Sequence, residues 1–131
     1  MTKKVVIVSS VSLQEKIEYW KNFWEHKNFK VINRPSLIEK DQFIKKYPKI
    51  YKDFFKSIVE TDILFVLNED QKGVKGYLGA ESFAEMCFAV AQNLINNKKI
   101  EIILLKKPSK EVQSYKEICL WLKLNWISLY K

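Results

Sequence analysis

Residues 61–70 read TDILFVLNED, and the run Ile63–Leu67 inside this stretch decides the fold. Its side chains are apolar without a break, which is typical of a short strand that is covered on both faces of a sheet. The sequence therefore predicts a mostly parallel sheet, with a short strand near Trp126–Tyr130 as a further candidate. The other continuous apolar runs are Val5–Val8, Phe29–Ile32 and Ile100–Leu105.

Between these runs, apolar side chains recur at helical spacing and form one face of each predicted helix. Ser12 with Glu15 and Ser36 with Glu39 have the spacing of capping boxes, so each pair predicts a helix start. Pro48 interrupts the second pattern and predicts a kink or two helices there. The predicted helical segments are 13–24, 43–59, 80–95 and about 109–124.

Strands that alternate with helices predict an α/β fold. We expect a single doubly wound, flavodoxin- or Rossmann-like domain over residues 1–131, with a parallel sheet of four to five strands. Ligands of such sheets bind at the carboxyl ends of the strands, near a switch in strand order. The segments at these ends are Ser9–Ser10, Asn68–Gly79 and Lys106–Lys107.

The chain of 131 residues has a formal net charge of +8. All but one of its 23 basic residues are lysine, the exception being Arg34. Lysine is a hydrated point charge, whereas arginine makes the bidentate contacts that read phosphate and guanine. The composition therefore favours a solvated basic surface over a nucleic-acid partner, and attraction to anionic ligands or RNA stays open.

Other residue counts exclude several kinds of site. His26 is the single histidine, which excludes a His-based metal site and a Ser-His-Asp triad, and we expect no metal and no cofactor. Cys87 and Cys119 are far apart in the sequence, which suggests a reduced, cytoplasmic protein. No apolar run approaches the length of a membrane span, so we expect no membrane partner.

All three glycines lie within seven residues, at Gly73, Gly76 and Gly79, just before the third helix. Their spacing matches neither the dinucleotide fingerprint nor the P-loop. A glycine loop that enters a helix can still bring backbone N–H groups to a ligand. A flexible loop without a ligand remains the alternative.

Carboxylates flank this loop. Glu81 and Glu85 are four residues apart on the predicted third helix, and Asp62 directly precedes the third strand. Acidic residues are common in the first turns of helices because of the helix dipole, and a strand-flanking Asp is often a turn residue. Ser9 and Ser10 could meet a phosphate or a sugar, or form a polar turn.

The run TDILFVLNED, the glycine loop and the segment AEMCFAVA together resemble the nucleoside 2-deoxyribosyltransferase superfamily, which includes 2'-deoxynucleoside 5'-phosphate N-hydrolases. Asp62 matches the Asp that starts the family's third strand. Glu85 and Ala89 match the family's E-[LI]-G-x-A motif on the next helix. The resemblance covers residues 3–105, with Cys87 at the motif's glycine.

The resemblance implies an N-glycosidic-bond enzyme, in which Glu85 attacks the anomeric carbon of a (deoxy)nucleoside or its 5'-monophosphate. Asp62 would position Glu85 or act as an acid, with Glu81 as the alternative. The sugar or phosphate would meet Ser9 and Ser10, and a homodimer is expected from the family. The remaining expected substrate-binding residues are Asn68, Gly76 and Gly79.

Two further positions depart from the family pattern. Gly79 stands where transferases have an Asp that holds the base, and Ser12 stands where hydrolases have an Arg near the 5'-phosphate. Hydrolysis and transfer both stay open. Two other functions also remain: a non-catalytic nucleotide-binding or sensing module, and a basic RNA- or protein-interaction domain.

Overall fold

A computed structural model describes residues 2–131, as one α/β domain of five strands and four helices with a short 3-10 turn at Lys40–Gln42. No helix within this range is long and apolar enough to cross a membrane. The elements, in chain order, are β1 (Lys4–Val8), α1 (Gln14–His26), β2 (Lys30–Asn33), α2 (Phe43–Glu60), β3 (Ile63–Val66), α3 (Ala80–Asn96), β4 (Glu101–Leu104), α4 (Tyr115–Lys123) and β5 (Ser128–Leu129).

The strands form one sheet in the order β2-β1-β3-β4-β5, and every neighbouring pair is parallel. The chain leaves β1 toward one side, to β2, and then crosses back to β3 on the other side. The strand order therefore switches between β1 and β3, where such sheets bind ligands at their carboxyl edge. The predicted doubly wound parallel fold, including its short last strand, is confirmed.

Both faces of the sheet are covered, which explains the continuous apolar runs. Val6 and Val8 of β1 pack into the core that contains α2, α3 and α4 side chains. Val5 and Ile7 of the same strand pack into the core on the α1 side. Because successive strand residues point to opposite faces, a strand buried on both sides needs apolar residues at every position.

The α1 face is completed by aromatic side chains. The Trp20 ring lies 4.9 Å from Phe65 of β3 and 5.4 Å from Tyr130, measured between ring centroids. Trp24 also contacts Phe65, at 5.4 Å. Tyr130 follows the last strand and covers the part of this face that α1 alone does not reach.

The helix caps differ from the sequence predictions, although α2 and α3 begin at the predicted residues Phe43 and Ala80. α1 begins after Leu13 without a side-chain cap, and the Ser12 hydroxyl instead accepts a hydrogen bond from Gln71 Nε2 at 2.9 Å. The Ser12 capping box is therefore wrong. The Ser36 capping box is also wrong, because a 3-10 turn with an uncapped start separates it from α2.

α2 is one helix rather than two, and Pro48 lies inside it. Proline lacks an N–H group, so the carbonyl of Ile44 loses its helical partner. Ile44 is 83% exposed, which leaves this carbonyl's surroundings open to water. The helix therefore tolerates the loss of this hydrogen bond, because Pro48 lies in the exposed first part of α2.

Two glycines of the loop have left-handed backbone, for different reasons. Gly73 has φ +73 in an exposed tight turn, and a Cβ there would meet nothing within 4 Å. Gly76 has φ +63, and its Cβ would lie 2.8 Å from Pro108 Cα and 2.9 Å from Lys107 O. Gly79 has ordinary extended backbone and precedes α3.

We therefore predict that Gly76→Ala destabilises the domain more than Gly73→Ala. Both variants place alanine in left-handed backbone, which costs about 1 kcal/mol, and only Gly76→Ala adds a backbone clash, so its total should reach roughly 2–4 kcal/mol. Urea unfolding of the two variants measures the difference. Equal losses would mean that the loop between β4 and α4 moves away from the added Cβ of Gly76→Ala at no cost in stability.

Candidate functional site at the carboxyl edge

Glu85 is the most unusual polar side chain at the carboxyl edge of the sheet. It lies in the second turn of α3, is only 8% exposed, and makes no hydrogen bond to any residue of the described range 2–131. Burial, helped by the nearby charge of Glu81, raises the pKa of Glu85 to about 8. Among the described residues, the fully enclosed polar atoms without a partner are Trp24 Nε1 and Ser114 Oγ, so the Glu85 carboxyl is largely desolvated but keeps an opening to solvent. Such a carboxyl is costly to bury, and perturbed groups of this kind cluster at functional sites.

The side chains of α2 and α3 meet in matched rows. Both helices run opposite to the strands and are therefore parallel to each other. The rings of Phe55 and Phe88 lie 4.7 Å apart and fix the register of the two helices. One turn earlier on each helix come Tyr51 and Glu85, because residues three or four positions apart share a helix face.

Another turn toward the helix starts come Tyr47 and Glu81. We call these four side chains, Tyr47 and Tyr51 with Glu81 and Glu85, the Tyr–Glu row. The rings of Tyr47 and Tyr51 are stacked at 5.0 Å between centroids. Tyr51 also contacts the ring of Phe55, at 4.5 Å between centroids. The rings of Tyr47, Tyr51 and Phe55 therefore form one aromatic wall along α2, on the side of Glu81 and Glu85.

The electrostatics agree with this register. Burial, and then the charges of Glu81 and Glu85, raise the pKa of Tyr47. Burial, the neighbouring Tyr47 and the charges of Glu85 and Glu81 raise the pKa of Tyr51. Each tyrosine is thus affected more by the glutamate at its own level of the row than by the other one.

Asp62 lies at the opposite edge of the sheet. Its carboxylate accepts a hydrogen bond from the backbone N–H of Lys4 at 2.8 Å, where β1 begins. Its carbonyl accepts a bond from the N–H of Glu101, where β4 begins. The four residues of β3, at roughly 3.3 Å each, separate this position from the carboxyl edge by about 13 Å. The structure therefore does not bring Asp62 to Glu85.

Asn68 and Gly76 hold loops together. The Asn68 amide donates to the Lys106 carbonyl at 2.7 Å, and its oxygen accepts from the Lys106 N–H at 3.1 Å. Asn68 also donates to the Gly76 carbonyl at 3.4 Å, while the Gly76 N–H donates to Asp70 Oδ1. Asn68 is 1% exposed, so its polar atoms serve the fold rather than a ligand at the surface.

Ser9 and Ser10 lie half-buried at the carboxyl end of β1, at the switch in strand order. The Ser9 hydroxyl donates to the Ser10 carbonyl at 3.1 Å, and the Ser10 and Ser12 hydroxyls share a bond at 3.1 Å. These local bonds link small groups within one turn. The two serines are therefore on the same edge as Glu85, as the sequence predicts.

An ionic cluster at this edge was not predicted. Glu69, which follows β3, pairs with Lys106 at 3.3 Å and with Lys16 of α1 at 3.6 Å. Lys106 also pairs with Asp70 at 3.3 Å. The cluster links the loops after β3 and β4 to α1 at the carboxyl edge, and no signal in the sequence pairs these residues. The Tyr–Glu row had a signal, since aromatic residues recur every four positions from Phe43 to Phe55.

Within residues 2–131, no three or more His, Cys, Asp or Glu side chains are grouped so that they could hold a metal ion.

Comparison of the chain with protein-family models, curated proteins and solved structures finds no match. The resemblance to the nucleoside 2-deoxyribosyltransferase superfamily therefore stays a prediction, and functional arguments depend on the site itself.

The burial of Glu85 predicts a pH-dependent cost in stability. The folded state holds the proton up to about pH 8, whereas an unfolded glutamate releases it near 4.5, so unfolding becomes easier as the pH rises between these values. We expect Glu85→Gln to be more stable than the wild type at pH 9, by at most about 5 kcal/mol, and to lose this advantage near pH 4.5.

Thermal unfolding at pH 5, 7 and 9 measures this difference. Glu60→Gln is the matched control, since Glu60 is an exposed residue at the end of α2. Its difference from the wild type should stay flat over this pH range. A flat difference for Glu85→Gln as well would mean that Glu85 is not desolvated.

Proposed function

We propose that the protein cleaves the N-glycosidic bond of a (deoxy)nucleoside or a nucleoside 5'-monophosphate, by hydrolysis or transfer, with Glu85 as the nucleophile. The observation that carries the proposal is the buried, unpartnered carboxyl of Glu85 at the ligand-binding edge of a doubly wound sheet. Breaking such a bond develops positive charge on the sugar, which a carboxylate can stabilise or capture.

The surroundings of Glu85 support this chemistry. A carboxylate in a site with little water interacts strongly with developing positive charge. The Tyr–Glu row places aromatic rings beside it, and a planar base can lie against such rings. Ser9 and Ser10 offer hydroxyls and backbone groups to the sugar or to a 5'-phosphate on the same edge.

Glu85 must lose its proton before it can attack. With a pKa of about 8, the free protein holds Glu85 mostly protonated at pH 7. For a neutral substrate, kcat/KM should therefore rise with pH and level off above about 8. A general acid would give the opposite slope, so the pH profile assigns the role of Glu85.

The direct test is the release of free base. Deoxynucleosides, ribonucleosides and their 5'-monophosphates are incubated with the protein and analysed by HPLC. We expect base release from at least one substrate and a loss of at least about 1,000-fold in Glu85→Ala, because the nucleophile is removed. Release by Glu85→Ala at the wild-type rate would exclude Glu85 as the nucleophile.

Asp62→Asn is the matched control for this assay. Asparagine keeps an oxygen that can accept the bond from the Lys4 N–H, and Asp62 lies at the opposite edge from Glu85. We expect activity within about twofold of the wild type. A large loss would show that Asp62 acts with Glu85 after all.

A nucleotide-binding module without turnover is the second candidate. It is favoured by the raised pKa of Glu85, which leaves this carboxyl mostly without the negative charge that a nucleophile needs at pH 7. In that case a nucleoside monophosphate would raise the melting temperature, and no free base would form with any substrate.

We also propose that the protein is a homodimer in the cytoplasm. The homodimer is expected from the family resemblance alone.

A further inference from the structure

The Tyr–Glu row combines two features that attract the same kind of ligand. Aromatic faces attract cations through the ring quadrupole, and carboxylates attract them directly. The Phe55–Phe88 contact sets Tyr47 level with Glu81 and Tyr51 level with Glu85 on successive turns, and the charges of both glutamates act on both phenols. A neutral base would use only the stacking part of this surface, whereas a positively charged planar ring would use all of it.

When Glu85 acts as the nucleophile, the Tyr–Glu row is left without another good acid for a leaving group. A neutral base usually needs a proton as the glycosidic bond breaks. Asp62 and His26 cannot supply it, because Asp62 precedes β3 and His26 ends α1, both at the amino edge. Glu81 acts on the neighbouring phenols as a negative charge, and the raised pKa values of Tyr47 and Tyr51 make them weaker acids.

We infer that the preferred substrate is an N-glycoside whose base carries a formal positive charge, such as a pyridinium or N7-alkylpurinium nucleotide. This inference rests on the proposed function and names its substrate class. The cationic ring would lie against Tyr51, between the carboxylates of Glu81 and Glu85, with the sugar phosphate toward Ser9 and Ser10.

The chemistry balances without an added acid. A carboxylate oxygen of Glu85 attacks the anomeric carbon, and the electron pair of the C–N bond moves to the ring nitrogen. The base loses its positive charge and leaves as a neutral molecule. Water then cleaves the glycosyl ester, which releases the sugar phosphate, returns the carboxylate of Glu85 and delivers one proton to solvent.

The same charge would also activate the nucleophile. A positive charge within a few ångströms of a buried carboxyl favours its ionised form. Binding of a cationic base therefore lowers the pKa of Glu85 and releases its proton, which a neutral nucleoside cannot do by charge. Because Glu85 is desolvated in the free protein, a ligand with a positive charge should be favoured over a neutral nucleoside.

The test uses nicotinamide mononucleotide and its reduced 1,4-dihydro form, which share one sugar phosphate and differ in ring charge. Calorimetric titration of Glu85→Gln, which cannot form the ester, should show at least about fivefold tighter binding of the cationic form. Adding Glu81→Gln or Tyr51→Leu should reduce this preference to about twofold or less. Adding Glu60→Gln, which removes the same charge at the far end of α2, should leave it unchanged.

Equal binding of the two forms, or tighter binding of the reduced form, would overturn the inference. Turnover by the wild type separates it from the proposed function. Adenine release from deoxyadenosine monophosphate, without any preference for the cation, supports the enzyme and contradicts the substrate class. A preference for the cation, with no base released from either nucleotide, supports the ligand class and contradicts the enzyme.

Discussion

The contact between Phe55 of α2 and Phe88 of α3 is the constraint on which the candidate site depends. It locks two parallel helices at one register, and the side chains one and two turns away then face each other. Tyr51 comes to the level of Glu85 and Tyr47 to the level of Glu81. Burial, helped by the charge of Glu81, raises the pKa of Glu85 at this level of the helix pair. The ring packing therefore decides which carboxyl stands level with which tyrosine.

The sheet supplies the second part of the arrangement. Strand order switches between β1 and β3, which is where such sheets bind ligands, and a bond from Gln71 to the Ser12 hydroxyl links the loops after these strands. Ser9 and Ser10 follow β1 at this edge, and the glycine segment leads from β3 into α3. Gly76 holds this segment against Lys107 and Pro108, so the start of α3 is anchored to the loop after β4. Glu85 thus lies between this anchored helix start and the Phe55–Phe88 contact.

The three central strands could be predicted to within about one residue, because burial on both faces leaves an unbroken apolar run that few other structures produce. Helix caps could not, since the hydroxyl of Ser12 has a better partner in Gln71, which is distant in sequence. Asp62 shows a different limit. Its spacing from Glu85 fits a family motif, yet a residue that precedes a parallel strand lies at the amino edge, and strand direction decides over spacing.

The Tyr–Glu row marks what sequence alone could not supply. The four-residue spacing of the aromatic residues in α2 indicates a face, and the spacing of Glu81 and Glu85 indicates another. Which turn of one helix meets which turn of the other depends on tertiary packing, and a shift of one turn would place Tyr47 beside Glu85 instead. The ionic cluster around Glu69 is equally tertiary, since its members come from α1 and from the loops after β3 and β4.

Trapping of a covalent intermediate tests the central role of Glu85 most directly. A nucleoside with fluorine at the sugar 2-position slows both steps by destabilising positive charge on the sugar, and a good leaving group keeps the first step fast enough to observe. The account predicts that the protein gains the mass of one fluorosugar, and that peptide mapping places it on Glu85. A fluorosugar on another residue, or a substrate that is turned over with no adduct at Glu85, would contradict it.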